Sequence, residues 1–236
     1  MRYLSDRRTG KLKPLASAIF FLFSAFTISA CGTSEPEDLS SAALIVNGVP
    51  MEIPFVMKID NEPVSLDEYR FFYLNVKKQM DGGDPTYWTQ PNSEEKEKEL
   101  KATTLSLLKS THAVLHLAEQ QQLSLTDTEL SRIDSDVKSQ ISALGGLPKY
   151  HRALKEKYLN DNLYRQIWKI NYCRQKLWSY YFDRGGQFYI SDDAISNNEK
   201  QTSYNALFTK LIHTTVGELD IQLSDEYDLI GIDTLQ

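Results

Sequence analysis

From Ser65 to Phe182 the sequence reads as a series of helices divided by start and stop signals, and that punctuation fixes the class of fold. Ser65-Leu66-Asp67-Glu68 has the form of a capping box, a Ser whose side chain covers a backbone N–H with a Glu three residues on to return the bond. Tyr69, Phe72, Tyr73 and Val76 follow at spacings of three and four, the period of one buried helix face, and Gly82-Gly83 ends it. The segment 81–93 is a loop carrying Tyr87 and Trp88. Residues 94–122 form one long helix with Leu100, Thr104, Leu107, Leu108, Val114, Leu115 and Leu117 on its apolar stripe. Thr126-Asp127-Thr128-Glu129 opens another with a second capping box, and Gly145-Gly146 stops it. A short helix over 147–157 and a longer one over 161–182 come next. After Gly185-Gly186 a last helix is predicted near 199–213.

The ends of this body have a different period. Ala43-Leu-Ile-Val46 leads into Asn47-Gly48, a strong hairpin-turn signal, and Val49 to Ile53 resume on the far side. Phe55-Val-Met-Lys-Ile59 turns again at Asp60-Asn61. Glu218-Leu-Asp-Ile-Gln-Leu223 alternates polar and apolar, as a half-buried strand does. The expected fold is therefore mainly α, with a small β-element formed by N- and C-terminal strands.

Before the body lies an address. Arg2, Arg7, Arg8, Lys11 and Lys13 precede a charge-free apolar run, Leu15 to Ala30. A basic start, an apolar stretch and small residues at its end make a secretory signal, and the run is short for a permanent span of about 20 apolar residues. Ile28-Ser29-Ala30-Cys31 resembles the bacterial lipobox. That resemblance implies cleavage before Cys31, lipid on its thiol and a chain anchored on the extracytoplasmic side of a bacterial membrane, two or more acyl chains being enough for stable anchoring. Residues 31–43 are polar and read as a flexible tether. The expected organisation is a signal at 1–30, a tether at 31–43 and one domain at 44–236.

The first thirty residues hold five of the 26 basic residues and one of the 32 acidic ones, so the remainder carries 21 against 31, a net charge of −10. A body so acidic repels nucleic acid, and its net charge also argues against anionic lipid as a ligand. With Cys31 lipidated, Cys173 has no partner in a chain of two cysteines, and its place in an apolar stripe makes it a buried small residue.

The order of elements resembles the N-terminal chaperone domain of the SurA and PrsA foldases, itself related to the peptide-binding part of trigger factor. The resemblance rests on Lys58-Ile-Asp-Asn-Glu-Pro-Val-Ser65 with Asp67-Glu68-Tyr69, on Ala118 to Leu130, on Gly145-Gly-Leu-Pro-Lys-Tyr-His-Arg-Ala-Leu154 and on Tyr158 to Arg165. It covers about residues 55–183, with an echo in Ser224-Asp225-Glu226-Tyr227. Such foldases carry a parvulin isomerase domain of roughly 90 residues after these helices. Here the stretch from Phe182 to the last helix is too short to fold as one. The resemblance thus implies a holdase for unfolded or newly exported polypeptides and no enzyme. A dedicated assembly or scaffold lipoprotein for one exported partner, and a family member with residual isomerase activity, stand as alternatives.

No nucleophile elbow, P-loop or dinucleotide loop is present, and no cofactor is expected. His112 and His116 have the i, i+4 spacing of metal ligands but lack the Glu of a zincin, so they read as ordinary helix histidines and no metal is expected. His151 and His213 stand alone, and Asp134, Asp136, Asp192 and Asp193 read as solvated helix faces and starts. Tyr164, Trp168 and Tyr172 repeat every four residues and read as core. The rings near the expected loops, Tyr87, Trp88, Tyr180, Tyr181, Phe182, Phe188 and Tyr189, are the candidate peptide-binding residues, since aromatic surface gives large contact area at low entropic cost.

Overall fold

The computed structural model describes residues 42–84, 86–191 and 196–235. The expected signal, Cys31, the tether through residue 41 and the pair Asp192 and Asp193 lie outside the described residues. Two hairpins come first: β1 (Leu44–Val46) with β2 (Val49–Met51), and β3 (Met57–Ile59) with β4 (Glu62–Val64). Each turns on two residues with positive φ, Asn47 and Gly48 at 52° and 78°, and Asp60 and Asn61 at 50° and 66°. That geometry belongs to the tight turn whose twist matches paired strands, and Asn, Asp and Gly tolerate it best.

Six helices follow among the described residues: α1 (Leu66–Asp81), α2 (Ser93–Gln120), α3 (Asp127–Leu144), α4 (Leu147–Lys155), α5 (Asp161–Phe182) and α6 (Asn197–Val216). A 3-10 turn over Tyr87–Thr89 joins α1 to α2. Helix α6 is longer than its sequence pattern, because Ser196 and Glu199 form a reciprocal capping box that starts it earlier. Then β5 (Ile221–Leu223) returns to pair antiparallel with β3, giving the sheet order β4-β3-β5. Leu44 also bridges Leu235, and Ile45 N–H donates to Thr234 O at 2.7 Å. The two ends of the described chain are therefore stitched together, as the terminal β patterns led one to expect.

Helix α2 is the axis of the body, packed by α1, α5 and α6. At 28 residues it is about 42 Å long at 1.5 Å per residue. Leu100, Leu107, Leu108, Val114 and Leu117 face the interior. Two hydroxyls on the same stripe, Thr104 and Thr111, are buried without penalty because each donates to the carbonyl four residues back, at 2.8 Å. Helices α3 and α4 form an outlying arm. Of the 18 residues of α3 only Ile133 and Val137 are buried, so the arm leans on α5 through a thin apolar seam. Polar ties supplement it: Arg165, steadied by Asp161 on its own helix, bonds Asp134, and Lys176 reaches Glu129 at 2.9 Å. Among the described residues no helix is long and apolar enough to cross a membrane.

The signal at Ser65 needs correction. Ser65 Oγ accepts from Glu68 N–H at 3.1 Å, but the Glu68 side chain does not return the bond. It turns inward, 3% exposed, because α2 places His112 within reach. Thr126 and Glu129 do form the reciprocal box, with bonds of 2.7 and 3.3 Å.

Candidate functional site

The aromatic residues singled out from the sequence separate into three environments. Tyr181 and Phe182, 4% and 2% exposed, are core and are corrected accordingly. They occupy the last turn of α5, where α6 packs across it. Phe182 lies 4.6 Å from the Tyr204 ring, while Trp178 contacts Phe182, Tyr204 and Phe208. Helical spacing set the direction of these rings, and their closeness to Gly185-Gly186 in sequence concealed that α6 folds back over them. Phe188 is half-buried and stacks on Tyr181 with centroids 5.6 Å apart. Gly186 permits this return. A Cβ there would sit 2.6 Å from the Tyr181 carbonyl, so the backbone approach requires glycine.

Tyr180 and Tyr189 remain at the surface, 46% and 36% exposed, on either side of the same turn. Lys200 Nζ lies 4.9 Å from the Tyr189 ring centroid and 5.8 Å from that of Tyr204. The third environment is the turn between α1 and α2. Tyr87 and Trp88 are half-buried and act as a clamp. Trp88 Nε1 donates to Asp81 Oδ2 at 2.8 Å, and Lys96 Nζ donates to Tyr87 O at 2.9 Å while lying 3.8 Å over its ring. Burial pushes the Asp81 carboxyl up, but hydrogen bonds from Trp88, Gly83 and Lys77 outweigh it and hold the group below its ordinary range. Of the stripe on α5, Tyr164 is buried and Trp168 and Tyr172 are half-buried.

A buried polar junction lies deeper, where α1, α2 and α5 meet. His112 Nε2 and Glu68 Oε1 are 3.1 Å apart, with Gln166 Nε2 3.4 Å from the other carboxylate oxygen. His116, one turn along, pairs instead with Asp60 at 2.8 Å, in the β3–β4 turn. The two histidines so serve separate carboxylates, and among the described residues no group of three or more His, Cys, Asp or Glu side chains is placed to hold a metal ion. Cys173 is buried, and burial pushes its thiol up, away from the reactive thiolate.

A cleft of about 390 Å³ opens between the start of α2 and the C-terminal segment, lined by Glu97, Lys98, Lys101 and residues 228–234. Glu97 Oε1 accepts from Ile232 N–H at 3.2 Å, which fastens the tail to α2. Tyr69 and Tyr73 are fully buried in this region, and burial pushes both hydroxyls far up, so they stay neutral. No local pattern marks this recess, because it depends on where the tail crosses α2.

Compared with known protein families, characterised proteins and solved structures, the chain matches none.

Proposed function

We propose that this protein is a lipid-anchored extracytoplasmic holdase, a relative of the SurA and PrsA chaperone domain that works without the isomerase domain. The observation that carries the reading is the order of the elements. Hairpin, capped α1, long α2, capped α3, a Gly-Gly stop, α4 and α5 follow one another, and β5 closes on β3, which supports the reading. Where the foldases carry their catalytic domain, this chain has residues 183–196 between α5 and α6. Such a connection is far below the roughly 40 residues that even a stapled domain needs.

Holding without chemistry calls for apolar surface that is available yet dispersed, so that many weak contacts add up while the protein stays soluble. Leu130 and Leu147 on the α3–α4 arm are 37% and 53% exposed, and Tyr180 and Tyr189 flank the α5–α6 turn. A leucine fully buried by a client contributes about 1.5–3 kcal/mol, so two or three such contacts reach useful micromolar binding only when several sites act together. The arm's thin seam with α5 also lets it adapt to different segments.

The test is suppression of aggregation. The chain from Cys31 to Gln236, added at near-stoichiometric amounts, should slow light scattering by several unrelated unfolded proteins. Failure with every client would remove the reading. A proline-peptide assay at background rate is the expected companion result. A second reading, a scaffold for one exported partner, is favoured by the cleft beside Glu97, since a shaped recess suits one defined segment. Recovery of one stoichiometric protein in pull-downs, with no effect on aggregation, would select it.

A further inference from the structure

The arm of α3 and α4 joins the body at two crossings, and both are built alike. Where α2 ends, Gln122 N–H donates to Glu119 O at 2.9 Å and Leu123 N–H to Ala118 O at 2.8 Å. Where α4 ends, Tyr158 N–H donates to Lys155 O at 2.9 Å and Leu159 N–H to Leu154 O at 3.0 Å. Each is a helix stop that turns left-handed just past the last turn, a place glycine fills at least cost. Helices α1 and α3 follow that rule, ending on Gly82 and Gly145 at φ of 58° and 85°. The two crossings do not, since Gln122 and Tyr158 stand at 56° and 60°. Among the described residues the other non-glycine residues with positive φ are Asn47, Asp60 and Asn61, in the hairpin turns, where Asn and Asp tolerate it. A glutamine and a tyrosine hold this conformation only while the packing around them insists, and such strain collects where a structure switches. Both ends of the arm are strained in this way.

What holds the arm down is narrow. Glu129, Ile133 and Asp136 lie on one face of α3 at helical spacings of four and three. Glu129 meets Lys176 of α5, and Asp136 lies 3.5 Å from the Tyr172 hydroxyl, so Ile133 between them is turned to α5. Lys176 Nζ also donates to Ser124 O at 2.8 Å, which clasps the linker between Gln122 and α3. On α4, the Tyr150 ring meets that of Tyr164 edge-on, with centroids 6.1 Å apart. Trp168 lies 6.3 Å from both Tyr164 and Tyr172. The row of rings along α5 thus meets α4 at one end and α3 at the other.

We infer that the α3–α4 arm is a hinged lid over the ring row of α5, which swings as an intact pair of helices on Gln122 and Tyr158 and is latched shut by Lys176. Opening lets both hinge residues relax to the right-handed region and bares Tyr172 and Trp168. Strain at the hinges drives opening, and the apolar seam with its latch drives closing, the opposed terms of a two-state element. The inference concerns the fold alone and would survive failure of the holdase reading.

The experiment reads the buried face of the arm. Ile133→Cys is placed in the chain from Cys31 to Gln236, and alkylation of its thiol under native conditions is followed by mass spectrometry. Cys173, buried in α5, is followed beside it, and hydrogen exchange of the α3 amides is measured in parallel. A swing exposes the thiol while the helix keeps its hydrogen bonds. Alkylation should therefore report opening several-fold more often than amide exchange in α3 does, and should outpace Cys173. Labelling that only matches α3 amide exchange means that the helix unfolds in place, and labelling as slow as that of Cys173 means that the arm stays shut. Either result overturns the lid. Gln122→Gly or Tyr158→Gly removes strain from the closed form and should slow the labelling about fivefold, whereas Lys176→Met should speed it several-fold. Unchanged rates in both glycine variants would overturn the hinges, and an unchanged rate in Lys176→Met would overturn the latch. Should Ile133→Cys lose its native circular dichroism, Val137→Cys, one turn along and likewise buried, serves as the reporter.

Discussion

Replacing Glu68 with alanine removes both hydrogen bonds that hold the junction of α1, α2 and α5, to His112 at 3.1 Å and to Gln166 at 3.4 Å. His112, only 9% exposed, is left with a ring nitrogen that has lost its carboxylate partner. An orphaned buried polar group costs about 1–3 kcal/mol, and truncating one member of a buried ionisable pair costs about 3–5 kcal/mol. The Gln166 bond is long and contributes little, so a loss near 3 kcal/mol is expected. For a domain of this size each kcal/mol shifts Tm by about 2–4 °C, which places Glu68→Ala about 6–12 °C below the parent. His112→Ala should cost a similar amount. The double variant should cost less than the sum of the two, by at least about 1 kcal/mol, since each change removes the other's partner. Urea unfolding followed by circular dichroism measures all three. A helix cap at the surface behaves otherwise, costing about 1 kcal/mol alone and adding independently to any change at His112. Additive single variants would refute the inward placement of Glu68 and restore the capping role that the sequence implied.

Phe182→Ala should destabilise by about 3–5 kcal/mol, whereas Tyr180→Ala, two residues away at the surface, should stay within about 0.5 kcal/mol in the same urea titration. Gly186→Ala forces a Cβ to within 2.6 Å of the Tyr181 carbonyl, a backbone atom that cannot step aside, and should cost about 1–3 kcal/mol by thermal unfolding. The backbone N–H of Thr126, followed by Lys176, holds the Glu129 carboxyl down, from 4.5 to about 2. A depressed carboxyl stabilises the fold above its unfolded value and loses that contribution as pH falls through its folded value. The Tm difference between the parent and Glu129→Gln should therefore be constant above pH 4.5 and shrink toward pH 2, and a difference independent of pH would contradict the assignment.

Much of the fold was legible because its signals are local. Asn47-Gly48, Thr126 with Glu129 and Gly145 each act within a few residues, and each works in the structure as its chemistry requires. Glu68 shows the limit. The tetrapeptide from Ser65 satisfies the local rule, yet a histidine 44 residues away competes for the carboxylate and wins. The candidate site was less legible for the same reason. Periodicity identified the α5 rings as one set, but whether Phe182 faces solvent depends on α6 crossing it, which no window of sequence around residue 182 contains.

A body that holds unfolded polypeptide by dispersed apolar contact, as proposed, must bind it saturably and without preference for one sequence. Fluorescence anisotropy of a labelled, permanently unfolded protein, titrated with the chain from Cys31 to Gln236, measures that directly. Saturable binding that unrelated unfolded proteins compete away, and that the same client in its folded form does not, is the expected result. No binding to any unfolded client, or binding to one folded partner alone, would contradict it.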